Sequence, residues 1–386
     1  MSIAVKFENV DVVFGPNPET AIQMLDNAGT RESILKETNS VIGVADANLT
    51  VKKGEICVLM GLSGSGKSSL LRCVNGLNKI TRGKLLINHD NQQTDIASCD
   101  AATLKDMRIN KVAMVFQQFG LLPWRTVRDN VGFGLEIKGM PADKIRQMVD
   151  EKLQLVHLEE WAEKHVSELS GGMQQRVGLA RALCTDADIL LMDEPFSALD
   201  PLIRDHLQEE LLELQSRLKK TIIFVSHDLD EAVKLGNHIV IMDGGRIVQQ
   251  GSAADIVFKP ENDYVRQFVA NMNPLQVLYA EAMMTPLAEL DLKNGRLQLD
   301  DGYVVELDDA GAPVKASHHT DSIELLNITD LLDSSAKDAV LMADYETNMR
   351  ELIVARRQLP RPILIVRQGE LVGLIGEQEV YAGLLR

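Results

Sequence analysis

Ile56-Cys57-Val58-Leu59-Met60-Gly61-Leu62-Ser63-Gly64-Ser65-Gly66-Lys67-Ser68 is the stretch whose reading decides the fold. Its first five residues are an apolar run of strand length, and Ser69–Gly76 after it carries a helical pattern. Between them stands a complete G-x-x-x-x-G-K-[ST], a phosphate-binding loop in the strand–loop–helix context it requires. Glycines let the backbone turn so that successive N–H groups point inward, and the following helix adds its positive end. Gly61, Ser63, Gly64, Ser65, Gly66, Lys67, Ser68 and Ser69 are therefore candidate ATP-binding residues. Lys67 should reach the β- and γ-phosphates, and the Ser68 hydroxyl should bind Mg²⁺. A glycine-rich turn without a ligand is the bland alternative, and the flanking strand and helix speak against it.

Working outward, Val112–Phe116, Ile189–Met192, Thr221–Ser226 and His238–Met242 are short aliphatic runs alternating with amphipathic helices. That texture, from Gly61 to about Asn273, predicts a mostly parallel α/β sheet covered on both faces. Ile189-Leu190-Leu191-Met192-Asp193-Glu194 ends one such strand in two acids, at the carboxyl edge where ligands of open α/β sheets sit. Asp193 is the candidate for the Mg²⁺ shell and Glu194 for the general base that polarises the attacking water. Alone, two acids after a strand are as readily a helix start; paired with the phosphate loop they gain weight. Val127–Ser167 reads as a helical insert, with helices over Asp143–Leu155 and Leu158–Glu168.

Composition excludes several classes. The 386 residues carry 40 Lys plus Arg against 56 Asp plus Glu, a formal net charge of -16, which argues against a nucleic-acid-wrapping surface. Cys57, Cys73, Cys99 and Cys184 form no CxxC pair and read as reduced thiols of a cytoplasmic protein. Residues 1–15 lack the basic-then-apolar order of a secretion signal. No apolar run approaches the roughly 18–20 residues of a spanning helix, so a membrane role is expected through a partner.

Leu169-Ser170-Gly171-Gly172-Met173-Gln174-Gln175-Arg176 runs into a helical pattern just ahead of the Asp193 strand. By itself it could be only a serine cap. In that order, however, the chain resembles the ABC-type ATPases, whose signature is LSGGQ shortly before the acidic strand. Within the resemblance, which covers roughly residues 1–273, Gln117 matches the Q-loop, Ser197–Asp200 the D-loop and His227 the switch histidine. The family implies a homodimer in which Ser170, Gly171 and Gly172 of one copy close over the phosphates on the other. It also implies that His227 contacts the γ-phosphate, that Gln117 senses the metal and the attacking water, and that Asp200 lies at the nucleotide. An aromatic of the N-terminal sheet should carry the adenine; Phe14 is the candidate, where the family more often has Tyr. The departure at the fifth signature position, Met173 for Gln, leaves Ser170 and Gly172 untouched.

The fold implied is a P-loop NTPase (RecA-like) α/β core with an N-terminal antiparallel β subdomain, a helical subdomain about 118–170, and a small C-terminal α+β region. Domains are expected at 1–273 and 274–386. The Phe14–Gly43 insert, Phe196–Arg204 and Val225–Ala232 resemble the quaternary-amine importer subgroup. Ser98–Leu104, Leu121–Val127 and Met272–Leu278 resemble its choline-type members, with glycine betaine or proline betaine as the alternative solute. The resemblance implies ATP and Mg²⁺ as cofactors and membrane permease subunits as partners. It further implies a substrate-binding protein met indirectly, and a peripheral position on the cytoplasmic face of the inner membrane. Phe119–Trp124 offers apolar candidates for docking a permease helix, or ordinary core. In the C-terminal region, Asp291–Gly311 reads as a hairpin, Asp308–Thr320 as a polar link and Asp333–Leu341 as a helix. Pro362–Leu385 reads strand, turn, strand, helix, resembling half of a CBS module whose other half is degenerate, a dimerisation appendage, or a plain α+β cap. A non-transport ABC ATPase would typically add coiled coils, zinc sites or a second cassette, and a binding-only module has no need of Glu194.

Overall fold

The structure, a computed structural model, describes residues 2–89, 92–116, 120–197, 199–270, 278–293, 295–299, 302–319, 321–331 and 338–384. They fall into two units, Met1–Ile256 with Pro260–Arg266, and Val257–Lys259 with Gln267–Arg386. In the first, β1 (Ile3–Phe14) leads to two short helices, α1 (Pro18–Asp26) and α2 (Arg31–Thr38), and then β2 (Val41–Lys52). Pro18 opens α1, where its missing N–H costs nothing, and the Thr30 hydroxyl caps α2 by accepting from the Ser33 N–H. Ala21 and Ile34 pack onto Ile42 and Ala45, so the insert between Phe14 and Gly43 is a folded helical pair with its own small core.

β3 (Ile56–Met60) turns through the glycine loop into α3 (Lys67–Val74). β4 (Arg82–His89) and β5 (Gln92–Asp95) complete an antiparallel sheet of order β2-β1-β4-β5. α4 (Ala101–Asp106) precedes β6 (Val112–Val115), and then α5 (Val127–Ile137), α6 (Ala142–Leu155) and α7 (Gly171–Cys184) pack together. Leu158–Glu168, expected as one helix, is instead two 3-10 turns at Glu159–Trp161 and Val166–Glu168. The carbonyls of Ala162 and Lys164, which a continuing helix would need, accept from the N–H groups of Arg128 and Val127 at the start of α5. His165 is extended and bridged to Thr126. Tertiary backbone pairing overrides the local helical pattern here.

β7 (Ile189–Asp193), α8 (Pro201–Leu218), β8 (Thr221–Val225), α9 (Leu229–Leu235), β9 (His238–Asp243) and β10 (Arg246–Gly251) follow, then α10 (Ala253–Phe258) and α11 (Asp263–Val269). The six-stranded sheet has the order β10-β9-β3-β8-β7-β6, parallel except for β10. β3, β7 and β8 are buried at every position, as their aliphatic runs require. Each fully buried aliphatic side chain there contributes roughly 1.5–3 kcal/mol.

The second unit contains α12 (Ala280–Met283), β11 (Thr285–Pro286), β12 (Leu292–Lys293), β13 (Arg296–Gln298), β14 (Tyr303–Leu307), β15 (Pro313–His318), β16 (Asp321–Asn327) and β17 (Ala339–Asp344). α13 (Met349–Gln358), β18 (Ile363–Arg367), β19 (Glu370–Ile375) and α14 (Glu377–Leu384) close it. Nine strands form one sheet of order β11-β19-β18-β17-β16-β15-β14-β13-β12. Two expectations are corrected. The stretch Asp308–Thr320 is no link but contains β15, paired on both sides. Within Asp333–Leu341, residues 333–337 lie outside the described residues and 339–341 begin β17; the helix comes later, at α13. Ala339–Ala343 is an unbroken apolar run, ambiguous between buried helix and buried strand, and parallel pairing to β16 and β18 decides it. Successive residues of β17 feed opposite faces: Leu341 and Ala343 pack with Leu352 and Ala355 of α13, while Val340 packs with Val305 and Leu364. Among the described residues no helix is long and apolar enough to cross a membrane.

Candidate active site

The strand order puts β8 between β3 and β7, so three carboxyl ends lie side by side. Val225 is level with both Leu59 and Asp193. At Gly61 (φ +140°) a Cβ would fall 2.1 Å from the Met242 carbonyl oxygen, and at Gly66 (φ +101°) 2.4 Å from that of Gly43. Both positions thus demand glycine for space as well as for backbone angle. Among the described residues, and apart from its own chain neighbours, nothing lies within 4 Å of where a Cβ at Gly64 (φ +78°) would stand.

Lys67 is only 6% exposed, and its ammonium donates to the carbonyls of Gly61 (2.8 Å) and Leu62 (3.0 Å). Burial lowers its pKa, while the carboxylates of Glu194 and Asp193 favour the charged form. Ser68 Oγ donates to Asp193 Oδ1 at 2.7 Å, and Arg72 Nη2 donates to Oδ2 at 2.9 Å. Asp193 is 2% exposed, so this carboxylate is held from both sides. A hydroxyl beside a carboxylate is the hard oxygen pair that suits Mg²⁺, and the residues present therefore fit that ion. Ser63 lies within the loop and Ser69 follows it, and Ser65 Oγ is buried with no hydrogen-bond partner among the described residues.

Glu194 follows β7 in the left-handed region (φ 47°), with its N–H donating to the Val225 carbonyl at 3.1 Å. Its Oε2 lies 3.5 Å from His227 Nδ1, and the His227 ring is largely exposed. Ser226 N–H donates to the Leu59 carbonyl, which ties the end of β8 to β3 immediately before the histidine. Lys67, Ser68, Asp193, Glu194 and His227 are thereby brought together.

Sequence reading missed what lies beneath. Ser226 Oγ donates to Glu231, as does Gln208 Nε2 at 2.9 Å, and burial pushes the Glu231 carboxyl above the usual range. Asp228 caps α9 and pairs with Arg204 at 3.3 Å. Only the cap spacing Asp228–Glu231 hinted at this network. Arg72 was also missed: an arginine one turn into a helix has no local signature of a partner 121 residues away.

Phe14, 41% exposed, ends β1 with its ring over Gly43, where a Cβ would fall 2.5 Å from Cε2. The aromatic ring, Gly43 and Gly66 are thus consecutive neighbours. Ser170 caps α7 by accepting from the Met173 N–H, the Cβ direction of Gly171 opens on free space, and Gly172 faces Ile203. Asp200 caps α8 by accepting from the Ile203 N–H. Among the described residues, none of these four hydrogen-bonds to the phosphate loop of the same chain. Gln117 lies outside the described residues, as does Phe119 at the start of the Phe119–Trp124 segment; Trp124 is exposed.

Residues 44–197 match the family model described as ABC transporter. The chain is 41% identical to the glycine betaine/proline betaine transport system ATP-binding protein ProV of Escherichia coli, over 98% of this chain and 96% of that protein. It is 48% identical to the glycine betaine transport ATP-binding protein OpuAA of Bacillus subtilis, over 73% of this chain and 66% of that one. In three dimensions it resembles a dimeric ATP-binding cassette in a post-hydrolysis state bound to ADP and Pi, with a TM-score of 0.54 and 32% identity. The match covers 64% of this chain and 98% of that one. A buried phosphate-loop lysine, a carboxylate on its serine and a glutamate–histidine pair on adjoining strand ends agree with these likenesses. The chain belongs to the ABC transporter family, as an ATP-hydrolysing ATP-binding subunit of the glycine betaine and osmoprotectant importer branch.

Proposed function

We propose that two copies of this chain bind two ATP molecules between them and that their closure drives permease subunits importing a quaternary amine. The observation that carries the reading is the convergence of Lys67, the Ser68–Asp193 pair and the Glu194–His227 pair at three neighbouring strand ends. Lys67 leaves its loop carbonyls for the β/γ-phosphates; Ser68 and Asp193 hold Mg²⁺, with Gln117 as a further ligand. Mg²⁺ bound there would neutralise charge on the phosphate oxygens. Glu194 takes the proton of the attacking water, and His227, held near it, contacts the γ-phosphate. The small residues Ser170, Gly171 and Gly172 at the N-terminus of α7 present N–H groups to the phosphates on the other copy, and Asp200 aligns the seam. Phe14 carries the adenine.

Choline is the solute favoured by the segments Ser98–Leu104 and Leu121–Val127; glycine betaine is favoured by the names of the relatives. The substrate-binding protein is met only through the permease, and the chain sits peripherally on the cytoplasmic face of the membrane. The C-terminal region, 274–386, is proposed as a degenerate CBS-like regulatory or dimerisation domain. The order β17-α13-β18-β19-α14 supports a single CBS-like motif. Uptake of labelled choline and of labelled glycine betaine, in cells lacking only this chain and in cells carrying Glu194→Gln, tests the reading. Loss of one uptake names the solute, and loss of neither removes the importer assignment.

A further inference from the structure

Arg31 opens α2, where a cation opposes the helix dipole. Two carbonyls offset that cost: Nη2 donates to Ile42 O at 2.6 Å and Nη1 to Gly64 O at 3.3 Å. The first carbonyl precedes Gly43, which lies under the Phe14 ring. The second is in the middle of the phosphate loop, at the glycine whose Cβ direction is open. One side chain therefore bridges the strand beneath the aromatic and the loop that would take phosphates. A guanidinium on the Gly64 carbonyl also polarises the N–H of the same peptide, that of Ser65, which donates to Leu62 O at 3.2 Å. That N–H is among those a phosphate would recruit.

We propose that Arg31 is a positioning residue for the nucleotide: it couples the α1–α2 insert to the phosphate loop and sets the affinity for ATP. It does so by holding Gly64 at a constant distance from the Phe14 platform, so that base and phosphates are received together. The proposal rests on residues 61–68 and Phe14 being the nucleotide site. A lysine keeps the charge but lacks the planar fork that places Nη2 and Nη1 on the two separate carbonyls.

The test is steady-state ATP hydrolysis and equilibrium nucleotide binding by the full chain, for Arg31→Ala, Arg31→Lys and, as reference, Lys67→Ala. Loss of a charge-assisted hydrogen bond to the loop should raise the KM for ATP about tenfold in Arg31→Ala, with kcat within about twofold. Arg31→Lys should raise KM about threefold, and it keeps the test open should alanine loosen the insert. A wild-type KM in Arg31→Lys and in folded Arg31→Ala would overturn the proposal, and so would a fall in kcat with KM unchanged. If Lys67→Ala loses binding while both Arg31 variants keep theirs, this inference alone fails. If Lys67→Ala binds ATP normally, the site assignment fails with it.

Discussion

Lys67 and Glu194 divide the labour at the single-residue scale: one is buried against loop carbonyls and the other is turned toward a histidine. Lys67→Ala is expected to abolish ATP binding, read by equilibrium titration with a fluorescent nucleotide. Glu194→Gln should bind ATP as tightly as the wild type but hydrolyse it slower by about two to four orders of magnitude. With ATP present, that variant should elute as a dimer on gel filtration; normal turnover would remove Glu194 from the base role. Both residues were legible because their neighbours in sequence impose their environment: glycines on either side of Ser65, and an aliphatic strand before Asp193. Arg72, Glu231 and Arg31 were not. Each acquires its meaning from a partner that only the folded chain brings near, as Arg82 does in joining buried Asp11 to Asp26 of the insert.

At the scale of elements, strands were easier to read than helices of irregular run. An aliphatic stretch bounded by glycine or acid has one good use in a covered parallel sheet, which is why β3, β7, β8 and β9 were plain. The two 3-10 turns of 158–168 were not, because α5 claims their carbonyls from outside the segment. β15 looked polar because Ala316 alone of its residues is buried. The α7 N-terminus offers a clean separation of structure from chemistry. Ser170→Ala removes a helix cap, which costs about 1 kcal/mol and should lower the melting temperature only slightly. ATP turnover should nevertheless fall at least about tenfold, since the same serine faces the other copy's phosphates in the proposed dimer. A turnover loss no larger than the stability loss would leave Ser170 a cap and nothing more.

Across the whole molecule, the thiols report on integrity. Cys57, Cys73 and Cys184 are buried; burial pushes the Cys73 thiol up to about 12 and that of Cys184 up to about 11, and Cys57 is raised too. Alkylation at pH 8, followed by mass spectrometry, should mark at most Cys99 in the folded chain and all four cysteines once it unfolds. Labelling of Cys57 in the native protein would contradict the packing of β3. The left-handed backbone at Glu194 carries a different consequence. A glutamate held at φ 47° stores strain that asparagine tolerates better. Glu194→Asn should therefore be more stable, by on the order of 0.5 kcal/mol, and melt slightly higher, while losing turnover. A collection of variants of this chain ranked only by heat resistance would enrich for inactive molecules at that one position, so thermal selection here has to be run with transport as the gate.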